Sequence, residues 1–336
     1  MKEKKQSVNL TDMKVVLLLA GLCCFLWGSA TPAIKTGYRL FGIDSADTYS
    51  IILFAGVRFL LAGFLVILFH SMTEKRWVMP PKGAGWKIVK LSLAQTVLQY
   101  YFFYVGLAHA TGVHGAIITG SGVFISILFA SLVFRYEKLT GRKIAGCILG
   151  FVGIVVMNLA GAGSENLFEV SITGEGFVLL AQVFYAISGA LVKQYAKDCD
   201  VVTLSGYQFM AGGCILILIG AVCGGSIAGS SSDHVLAAAV MPGILLLYLA
   251  LISAVAYTLW GILLKYNPVS RVAIFGFMNP MFGVLLSAIF LGESGQALSW
   301  NALAALVLVC LGIYVVNGAP SKNEAEYKMN CKGGRL

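Results

Sequence analysis

The chain consists of two similar halves, because four blocks of its first half recur in the same order in its second half. The aligned pairs are 25–39 with 183–197, 54–63 with 204–213, 121–134 with 279–292 and 152–160 with 311–319. Within them Lys35 aligns with Lys193, and Phe59 with Phe209. Each half holds five apolar segments long enough to cross a bilayer. Because five is odd, the second copy would enter the membrane upside down, an arrangement typical of secondary transporters with a site near the membrane midplane.

Composition places nearly all of the chain in lipid. Hydrophobic residues make up 58% and charged residues 12%, with a mean hydropathy of +0.85, whereas soluble domains use about 45–50% apolar and 25% charged residues. The apolar runs near the ~20 residues that span hydrocarbon lie at about 14–34, 48–69, 86–107, 113–134, 142–160, 175–194, 202–223, 238–262, 269–291 and 299–317. The sequence therefore predicts an all-α integral membrane protein of ten transmembrane helices, arranged as two inverted five-helix repeats.

The basic residues indicate how the chain is oriented. The net charge is +9, but Lys and Arg concentrate in the tails and alternate loops, which puts 21 of the 24 on one side of the membrane. This bias predicts that both termini are cytoplasmic, and it argues against nucleic acid as the partner. The predicted divisions are a cytoplasmic tail at 1–13, repeat one at 14–161, repeat two at 175–317 and a cytoplasmic tail at 320–336. Short loops without a transit peptide favour a bacterial plasma membrane.

Several of the repeated segments resemble the EamA domain of the drug/metabolite transporter superfamily, over about residues 14–317. The matching segments are WGS at 27–29 followed by Lys35, RFLLAG at 58–63, Glu137, Glu293 and NPMFGVLLSAIFLGE at 279–293. The resemblance implies a ten-helix carrier that moves small metabolites by alternating access, often outward. The copies differ at three places: Tyr185-Ala186 replaces Trp27-Gly28, Gln208 replaces Arg58, and Asn279-Pro280 replaces Ser121-Gly122.

Arg58 is a fixed positive charge in the middle of the second predicted span. A charged side chain at the centre of a membrane helix costs about 2.5–3.5 kcal/mol on insertion scales, so something must offset it. Two interpretations stay open. Arg58 either faces the cavity and pairs with an anionic group of the substrate, or it caps backbone carbonyls or bonds another helix. Gln208, its counterpart in the second copy, is assigned to the same substrate-binding region.

A polar and aromatic stripe is predicted on one helix face in each copy. In the third span it consists of Gln95, Gln99 and Phe102, at positions i, i+4 and i+7. The repeat maps it onto Ser253, Tyr257 and Trp260 of the eighth span. Polar side chains are costly against lipid, so the stripes either bond helices together or line the cavity. The cavity is favoured, because small-molecule sites combine aromatic walls with a few placed polar groups.

Symmetry places Trp27 and its counterpart Tyr185 near the same cavity. Asn279 precedes Pro280 and can bond either freed backbone or a ligand. Pro32 and Pro280 each leave one helix carbonyl without its usual donor, so helix breaks are predicted at both, for packing or for binding.

A glycine stripe marks the fifth span. Gly146, Gly150 and Gly153 recur at the spacing of close helix packing, and Gly153 aligns with Gly312 of the tenth span. Spans five and ten are therefore predicted to brace the bundle while the other eight surround the cavity.

Four titratable residues lie near span ends. Glu137 and Glu293 are expected to be solvated, with helix capping or pairing to basic neighbours as the alternative. His109 and His114 could titrate in the physiological range, but they too are expected to be wet. None of the fifteen acidic residues falls at mid-membrane. The sequence therefore predicts a facilitative or weakly coupled carrier without a buried carboxylate relay.

These features favour a secondary transporter, an exporter of amino acids or related zwitterionic or anionic metabolites. A carrier for neutral or cationic aromatic metabolites is the alternative within transport, and a non-transporting scaffold or receptor is the alternative outside it. No nucleophile with a base, carboxylate pair or set of metal ligands clusters at one depth, so no catalytic residue, cofactor or metal is predicted. The expected partners are a small-molecule substrate and the lipid bilayer, and a homodimer stays open.

Overall fold

A computed structural model describes residues 9–110, 112–159, 171–227, 235–291 and 300–318. All regular structure within these ranges is helical. Six helices are α-helical throughout: α1 (Met13–Leu40), α2 (Thr48–Glu74), α5 (Gly141–Leu159), α7 (Val201–Val222), α8 (Val235–Tyr266) and α10 (Trp300–Asn317). Three include a π-helical stretch: α3 (Gly85–Ser92, π Leu93–Leu98, Gln99–His109), α4 (Gly112–Leu128, π Phe129–Val133) and α6 (π Ile172–Gly176, Phe177–Tyr195). Helix α9 includes a 3₁₀ turn (Val269–Ala273, 3₁₀ Ile274–Phe277, Met278–Leu291).

Nine helices in the described part of the chain are long and apolar enough to cross a membrane. Helix α3 is not among them, because the polar atoms of Gln95, Gln99 and three tyrosines lie within its apolar run. The protein is therefore a multi-pass membrane protein, and the tenth span stays a prediction.

Aspartates begin three of the helices. The side chains of Asp12, Asp47 and Asp200 accept hydrogen bonds from backbone N–H groups in the first turns of α1, α2 and α7. Asp47 also accepts a hydrogen bond from the hydroxyl of Ser50 at 2.5 Å. The bonds from Ser50 lower the pKa of the Asp47 carboxyl, because they stabilise its charged form. Each cap satisfies donors that have no partner within the helix.

Helices α2 and α7 cross at glycines, with almost no space between their backbones. A β-carbon at Gly63 would lie 2.5 Å from the carbonyl oxygen of Gly206, and one at Gly213 would lie 2.8 Å from that of Gly56. Gly56 aligns with Gly206, and Gly63 with Gly213. Each helix therefore uses the same two sequence positions to receive the other.

Helices α5 and α10 pack in the same way. A β-carbon at Gly146 would lie 2.8 Å from the carbonyl oxygen of Gly312, and one at Gly153 would lie 3.0 Å from that of Ala305. Gly150 faces the ring of Phe277 on α9, and its backbone nitrogen would lie 3.0 Å from a β-carbon at Gly312. The predicted close packing of this glycine stripe is confirmed.

Several other helix contacts also occur in matched pairs. Helix α1 packs against α8 and α9, and its counterpart α6 packs against α3 and α4. Helix α2 packs against α8, and its counterpart α7 packs against α3. Exchanging each helix for the one five places along therefore reproduces this set of contacts.

Neither predicted helix break ends a helix. Helix α1 runs through Pro32 to Leu40, so the missing hydrogen bond there does not interrupt the helix. At Pro280 the irregularity lies before the proline, in the 3₁₀ turn Ile274–Phe277. Pro242 also lies inside a continuous helix, α8.

Candidate functional site

Arg58 lies near the middle of α2 and is 4% exposed. Its guanidinium carbon is 4.5 Å from the ring centroid of Phe59 and 5.7 Å from that of Tyr100. Its Nε atom is buried and has no hydrogen-bond partner. Within the described ranges, no Asp or Glu lies within ion-pair distance of it. Arg58 is thus a buried cation surrounded by aromatic rings, without a counter-ion from the described residues.

Six aromatic residues from five helices meet beside Arg58. We call them the aromatic cluster: Trp27 (α1), Phe59 (α2), Tyr100 (α3), Phe209 (α7), and Tyr257 and Trp260 (α8). The Phe59 and Phe209 rings stack at 5.4 Å and 18°. Trp27 lies 5.1 Å from both Tyr257 and Trp260, in edge-on geometry. The cluster therefore joins both copies of the repeat around one point.

A hydroxyl pair closes one side of the cluster. The hydroxyls of Tyr100 and Tyr257 lie 2.6 Å apart, so α3 and α8 are hydrogen-bonded directly. These two tyrosines, with Tyr38 and Tyr104, also interact electrostatically with the Arg58 guanidinium. The surroundings of Arg58 are thus aromatic and phenolic, rich in ring faces and hydroxyl oxygens.

The ring contacts stabilise Arg58 by an amount comparable with the cost of burying it, but they supply no negative charge. Contacts between a cation and a ring are worth about 0.5–2 kcal/mol each, and a charge at the centre of a membrane helix costs about 2.5–3.5 kcal/mol. An anion with hydrogen bonds to the guanidinium would stabilise the buried cation further. The site is therefore suited to an anionic group that arrives with a ligand.

Three predicted site residues carry buried polar atoms without partners. These atoms are Nε1 of Trp27, Oε1 of Gln99 and Nε2 of Gln208. The other amide atom of Gln208, Oε1, accepts a hydrogen bond from the Thr96 hydroxyl at 2.9 Å. Buried polar atoms usually have partners. The orphaned donors and acceptor therefore represent unused hydrogen-bonding capacity in this part of the bundle.

The stripe predicted on the third span is divided by the π-helical stretch. Gln95 lies inside that stretch and is buried, and Gln99 begins the α-helix that follows it. Phe102 lies against α6, where its ring stacks on Phe184 at 5.7 Å and meets Phe177 at 5.2 Å. Phe102 therefore packs between helices, which is the other interpretation of the stripe. The assumed period of 3.6 residues does not hold between Gln95, which lies in the π stretch, and Gln99, which follows it.

Three other predicted residues occupy less central positions. Tyr185 is half-buried on α6. Asn279 and Pro280 are half-buried at the start of the Met278–Leu291 segment of α9. No ring contact joins Tyr185 to the aromatic cluster within the described residues, so its role in binding stays a prediction, as does that of Asn279.

Sequence reasoning missed the central positions of Phe59, Tyr100 and Phe209. Phe59 and Phe209 align between the two halves, and that match was a usable signal, because residues on a symmetry axis meet their own counterparts. Tyr100 had no comparable signal. It follows Gln99 directly, and in an α-helix its side chain would point about 100° away from that of Gln99, off the predicted stripe.

The span ends differ from the sequence expectation at two residues. Glu137 is not solvated: its carboxylate accepts hydrogen bonds from the backbone N–H and hydroxyl of Ser270, at 2.8 and 2.7 Å, and pairs with Lys143 at 2.9 Å. His114 is buried and lies 2.8 Å from Glu175. The expectation that these two residues are solvated is wrong. For Glu137 the alternative is the correct one, since it caps the start of α9 and pairs with a basic neighbour. His114 has a partner that is distant in sequence. His109 is exposed as predicted, and Glu293 lies outside the described residues.

Within the ranges that the structure describes, no group of three or more His, Cys, Asp or Glu side chains is arranged to hold a metal ion. Cys23 and Cys24 instead donate weak hydrogen bonds to backbone carbonyls of Ala256 and Phe275, at 3.4 and 3.2 Å. Both thiols therefore contribute to helix packing.

Comparison with known proteins identifies related sequences over nearly the whole chain. The model of the EamA-like transporter family matches twice, at residues 14–159 and 172–318. An uncharacterized transporter of Bacillus subtilis, YvbV, is 26% identical over 92% of this chain and 93% of its own. A Salmonella typhimurium protein named a "probable amino-acid metabolite efflux pump" is 26% identical over 88% of this chain and 93% of its own.

A solved structure shares the fold. It superposes with a TM-score of 0.71 over 90% of this chain and 96% of its own, at 16% sequence identity. At that identity the likeness concerns the arrangement of the helices alone.

Proposed function

Because the chain belongs to the EamA-like transporter family, we propose that it exports small zwitterionic or anionic metabolites, amino acids among them, by alternating access. The observation that carries the substrate class is Arg58. It is a buried guanidinium with an unpartnered Nε and no carboxylate at ion-pair distance among the described residues. A carboxylate of the substrate would supply the missing counter-ion, because guanidinium and carboxylate match in charge and in hydrogen-bond geometry.

The rest of the site suits a small organic molecule with a polar head. The aromatic cluster provides an apolar wall, and the free amide donor of Gln208 and indole donor of Trp27 lie on the helices that build it. Small-molecule sites typically combine such walls with a few placed polar groups. The Salmonella relative, named as an amino-acid metabolite efflux pump, agrees with this substrate class.

Two inverted five-helix copies, ten spans in all, would give this site two equivalent states. The crossing of α2 and α7 supports this, because each helix uses the same two aligned glycines to receive the other. The stack of Phe59 on its counterpart Phe209 supports it as well, because such a contact lies on an exchange axis. Rocking one copy against the other about such a site is how inverted-repeat carriers alternate access.

Helix α3 is packed less tightly toward the end of the bundle that holds the C-terminus of α1. Every residue of α3 from 98 to 105 is half-buried, whereas six of the seven from 91 to 97 are buried. With both termini cytoplasmic, as the basic residues predict, this end faces outward across the plasma membrane. This is the side to which an exporter releases its cargo.

A second candidate is a carrier of neutral or cationic aromatic metabolites. The aromatic cluster favours it, because ring faces bind planar and cationic ligands. The buried charge of Arg58 disfavours a cation, because two positive charges would share a poorly solvated site. A non-transporting scaffold or receptor would have no use for a buried, unpaired arginine beside this cluster.

The test is mass spectrometry of the medium around bacterial cells that express the intact protein, Arg58→Ala or Arg58→Lys at matched membrane levels. Arg39→Ala is the control, because it removes an exposed arginine at the end of α1. We expect one or more carboxylate metabolites to accumulate outside with the intact protein and the control, and at least tenfold less with Arg58→Ala. Arg58→Lys should restore only part of the export, because lysine cannot form the bidentate contact.

Equal accumulation from the intact protein and Arg58→Ala would overturn the role of Arg58. Accumulation of cationic or neutral aromatic compounds alone would favour the second candidate. No difference from cells without the protein would contradict export.

A further inference from the structure

Glu137 joins the two halves of the chain at the end of the bundle that holds the N-terminus of α1. One carboxylate oxygen accepts a hydrogen bond from the backbone N–H of Ser270 at 2.8 Å, and the other accepts one from the Ser270 hydroxyl at 2.7 Å. Ser270 is 1% exposed and lies in the first turn of α9. Glu137 belongs to the first matched half of the chain and Ser270 to the second. The contact is therefore a direct bond between the halves.

The end of α4 fixes where Glu137 lies. Arg135 has a left-handed backbone conformation, with φ of 53°, which commonly ends helices. The backbone N–H of Tyr136 then bonds the carbonyl of Ala130 at 2.8 Å. The Tyr136 hydroxyl donates to the carbonyl of Ala190, on α6 in the second half, at 3.3 Å. Two successive residues after α4 thus each bond the opposite half.

Glu137 has another partner in its own half. Nζ of Lys143, in the first turn of α5, lies 2.9 Å from Oε2 of Glu137 and also donates to the carbonyl of Lys138 at 2.8 Å. The side chains of Lys143 and Glu137 are 12% and 9% exposed. Because all three residues belong to the first half, this ion pair does not depend on the second half. The carboxylate therefore keeps a counter-ion if Ser270 moves away.

We propose that Glu137 and Ser270 form a latch that holds the cytoplasmic end of the bundle closed and releases when the two halves separate there. In the closed state the Glu137 carboxylate holds the first turn of α9. In the open state the donors of Ser270 bond water, and Glu137 stays paired with Lys143. This inference rests on the proposed function, which supplies the alternating states, and on the predicted orientation with both termini cytoplasmic.

The resident lysine explains how a charged latch can open. Removing one partner from a buried ion pair is costly, because the other charge is left without compensation. Release of Ser270 leaves Glu137 and Lys143 together, so no charge loses its counter-ion in this step. The two bonds to Ser270 exist only while the halves are in contact. They therefore shift the equilibrium toward the closed state, because a contact made in one state favours that state.

The direct test measures the separation of the halves at this end in the purified full-length protein, without substrate. Spin labels are attached at Lys138→Cys and Tyr266→Cys, exposed positions of opposite halves, in a background without reactive cysteines. Pulsed electron paramagnetic resonance then gives the distribution of distances between the labels. We expect the longer-distance population to rise at least threefold with Glu137→Ala. Ser270→Ala removes only the hydroxyl donor and should give a smaller rise.

Asp12→Asn is the matched control. Asp12 is exposed at the same end and caps α1 within its own half, and asparagine caps a helix as well as aspartate does. The distribution should therefore stay as in the intact protein. An unchanged distribution in Glu137→Ala would overturn the proposal, and so would an equal rise in Asp12→Asn. If Glu137→Ala does not fold, a rise or no rise in Ser270→Ala decides in the same way.

Cross-linking tests whether the latch opens during transport. Glu137→Cys and Ser270→Cys are joined by a short bifunctional thiol reagent that a reductant removes. Export is measured before cross-linking, after it and after reduction. It should fall at least tenfold on cross-linking and return on reduction. The matched pair Glu137→Cys with Lys143→Cys lies within one half, so its export should be unchanged by the same reagent.

The two measurements separate this proposal from the proposed function, because the distances between spin labels require no transport. Full export by the cross-linked Glu137→Cys and Ser270→Cys variant would contradict the latch and leave the carrier standing. Absence of export by the intact protein would contradict the proposed function, and the distances would still decide whether Glu137 holds this end closed.

Discussion

At the residue scale, Arg58 and Gln208 occupy equivalent positions in the two copies but have different surroundings. The Arg58 guanidinium lies over the rings of Phe59 and Tyr100. Gln208 is fully buried, with one amide atom bonded to Thr96 and the other without a partner. This asymmetry suits a zwitterion or an amino acid, because a carboxylate needs the cation while the other end needs a neutral polar group or an apolar wall.

Replacing Gln208 by Met tests whether its amide binds the substrate. Met has nearly the same volume and removes the unpartnered Nε2 donor, but it also removes the oxygen that bonds the buried Thr96 hydroxyl, so the free energy of unfolding should fall by about 1–3 kcal/mol. Export should fall several-fold if the amide donates to the substrate. Thermal unfolding and export are measured together, with Gln194→Met, at an exposed position of α6, as the control. Undiminished export by Gln208→Met would remove this residue from the site.

The site could be predicted in part at this scale. Trp27 lies against Tyr257 and Trp260, and Arg58 lies against Phe59 and Tyr100, while the roles of these residues in binding stay predictions. For Glu137 the sequence left capping or pairing with a basic neighbour as the alternative to water, and the structure shows both. The environment of His114 could not be predicted, because Glu175 approaches it only after the helices pack. A polar residue at a span end is compatible with water or with a distant partner, and periodicity does not distinguish the two.

At the element scale, the crossing of α2 and α7 depends on glycine. A β-carbon at Gly63 would lie 2.5–2.7 Å from Gly206 and Met210 atoms, including backbone, so the helices would have to move apart. Gly63→Ala should therefore destabilise the protein by about 1–3 kcal/mol, the usual cost of overpacking. The check is the midpoint of thermal unfolding in detergent.

Gly21→Ala is the matched control, because no atom lies within 4 Å of a β-carbon at that position of α1. Alanine favours a helix over glycine by about 1 kcal/mol, so this variant should be as stable as the intact protein or more so. Equal stability of Gly63→Ala and Gly21→Ala would mean that the α2–α7 contact is looser than the structure indicates.

Most helices could be predicted from their apolar runs, but their irregular turns could not. The π-helical stretch Leu93–Leu98 in α3 shifts Gln95 relative to Gln99 and Phe102, so the register that the i, i+4, i+7 pattern assumed does not hold. Such stretches depend on tertiary packing and have no dependable signature in one sequence. At Pro32 the sequence predicted a break where the structure has a continuous helix, because one missing hydrogen bond does not end a well-packed helix.

At the scale of the whole molecule, the repeated sequence and the paired helix contacts agree on an exchange of helices five places apart. The second copy is inverted only if the first copy crosses the membrane an odd number of times. The inversion therefore depends on whether α3 crosses the membrane and brings that number to five. Its glutamines and tyrosines lower its hydropathy, and the proposed site gives those polar groups a use.

Cysteine labelling in intact cells tests this topology. In a background without reactive cysteines, Lys82→Cys lies just before α3 and His109→Cys at its end, both at exposed positions. If α3 spans the membrane, an impermeant maleimide should label His109→Cys from outside and should label Lys82→Cys only after the cells are opened. Labelling of both positions from the same side would rule out the inverted ten-helix arrangement.

The central claim is that this molecule carries carboxylate metabolites past Arg58. The most direct measurement is release from proteoliposomes loaded with a mixture of zwitterionic, anionic, neutral and cationic metabolites, analysed by mass spectrometry. Vesicles with the intact protein should lose zwitterionic or anionic members of the mixture, and vesicles with Arg58→Ala should retain them at least tenfold longer. Equal release from both vesicles, or release of cationic and neutral members alone, would contradict the account.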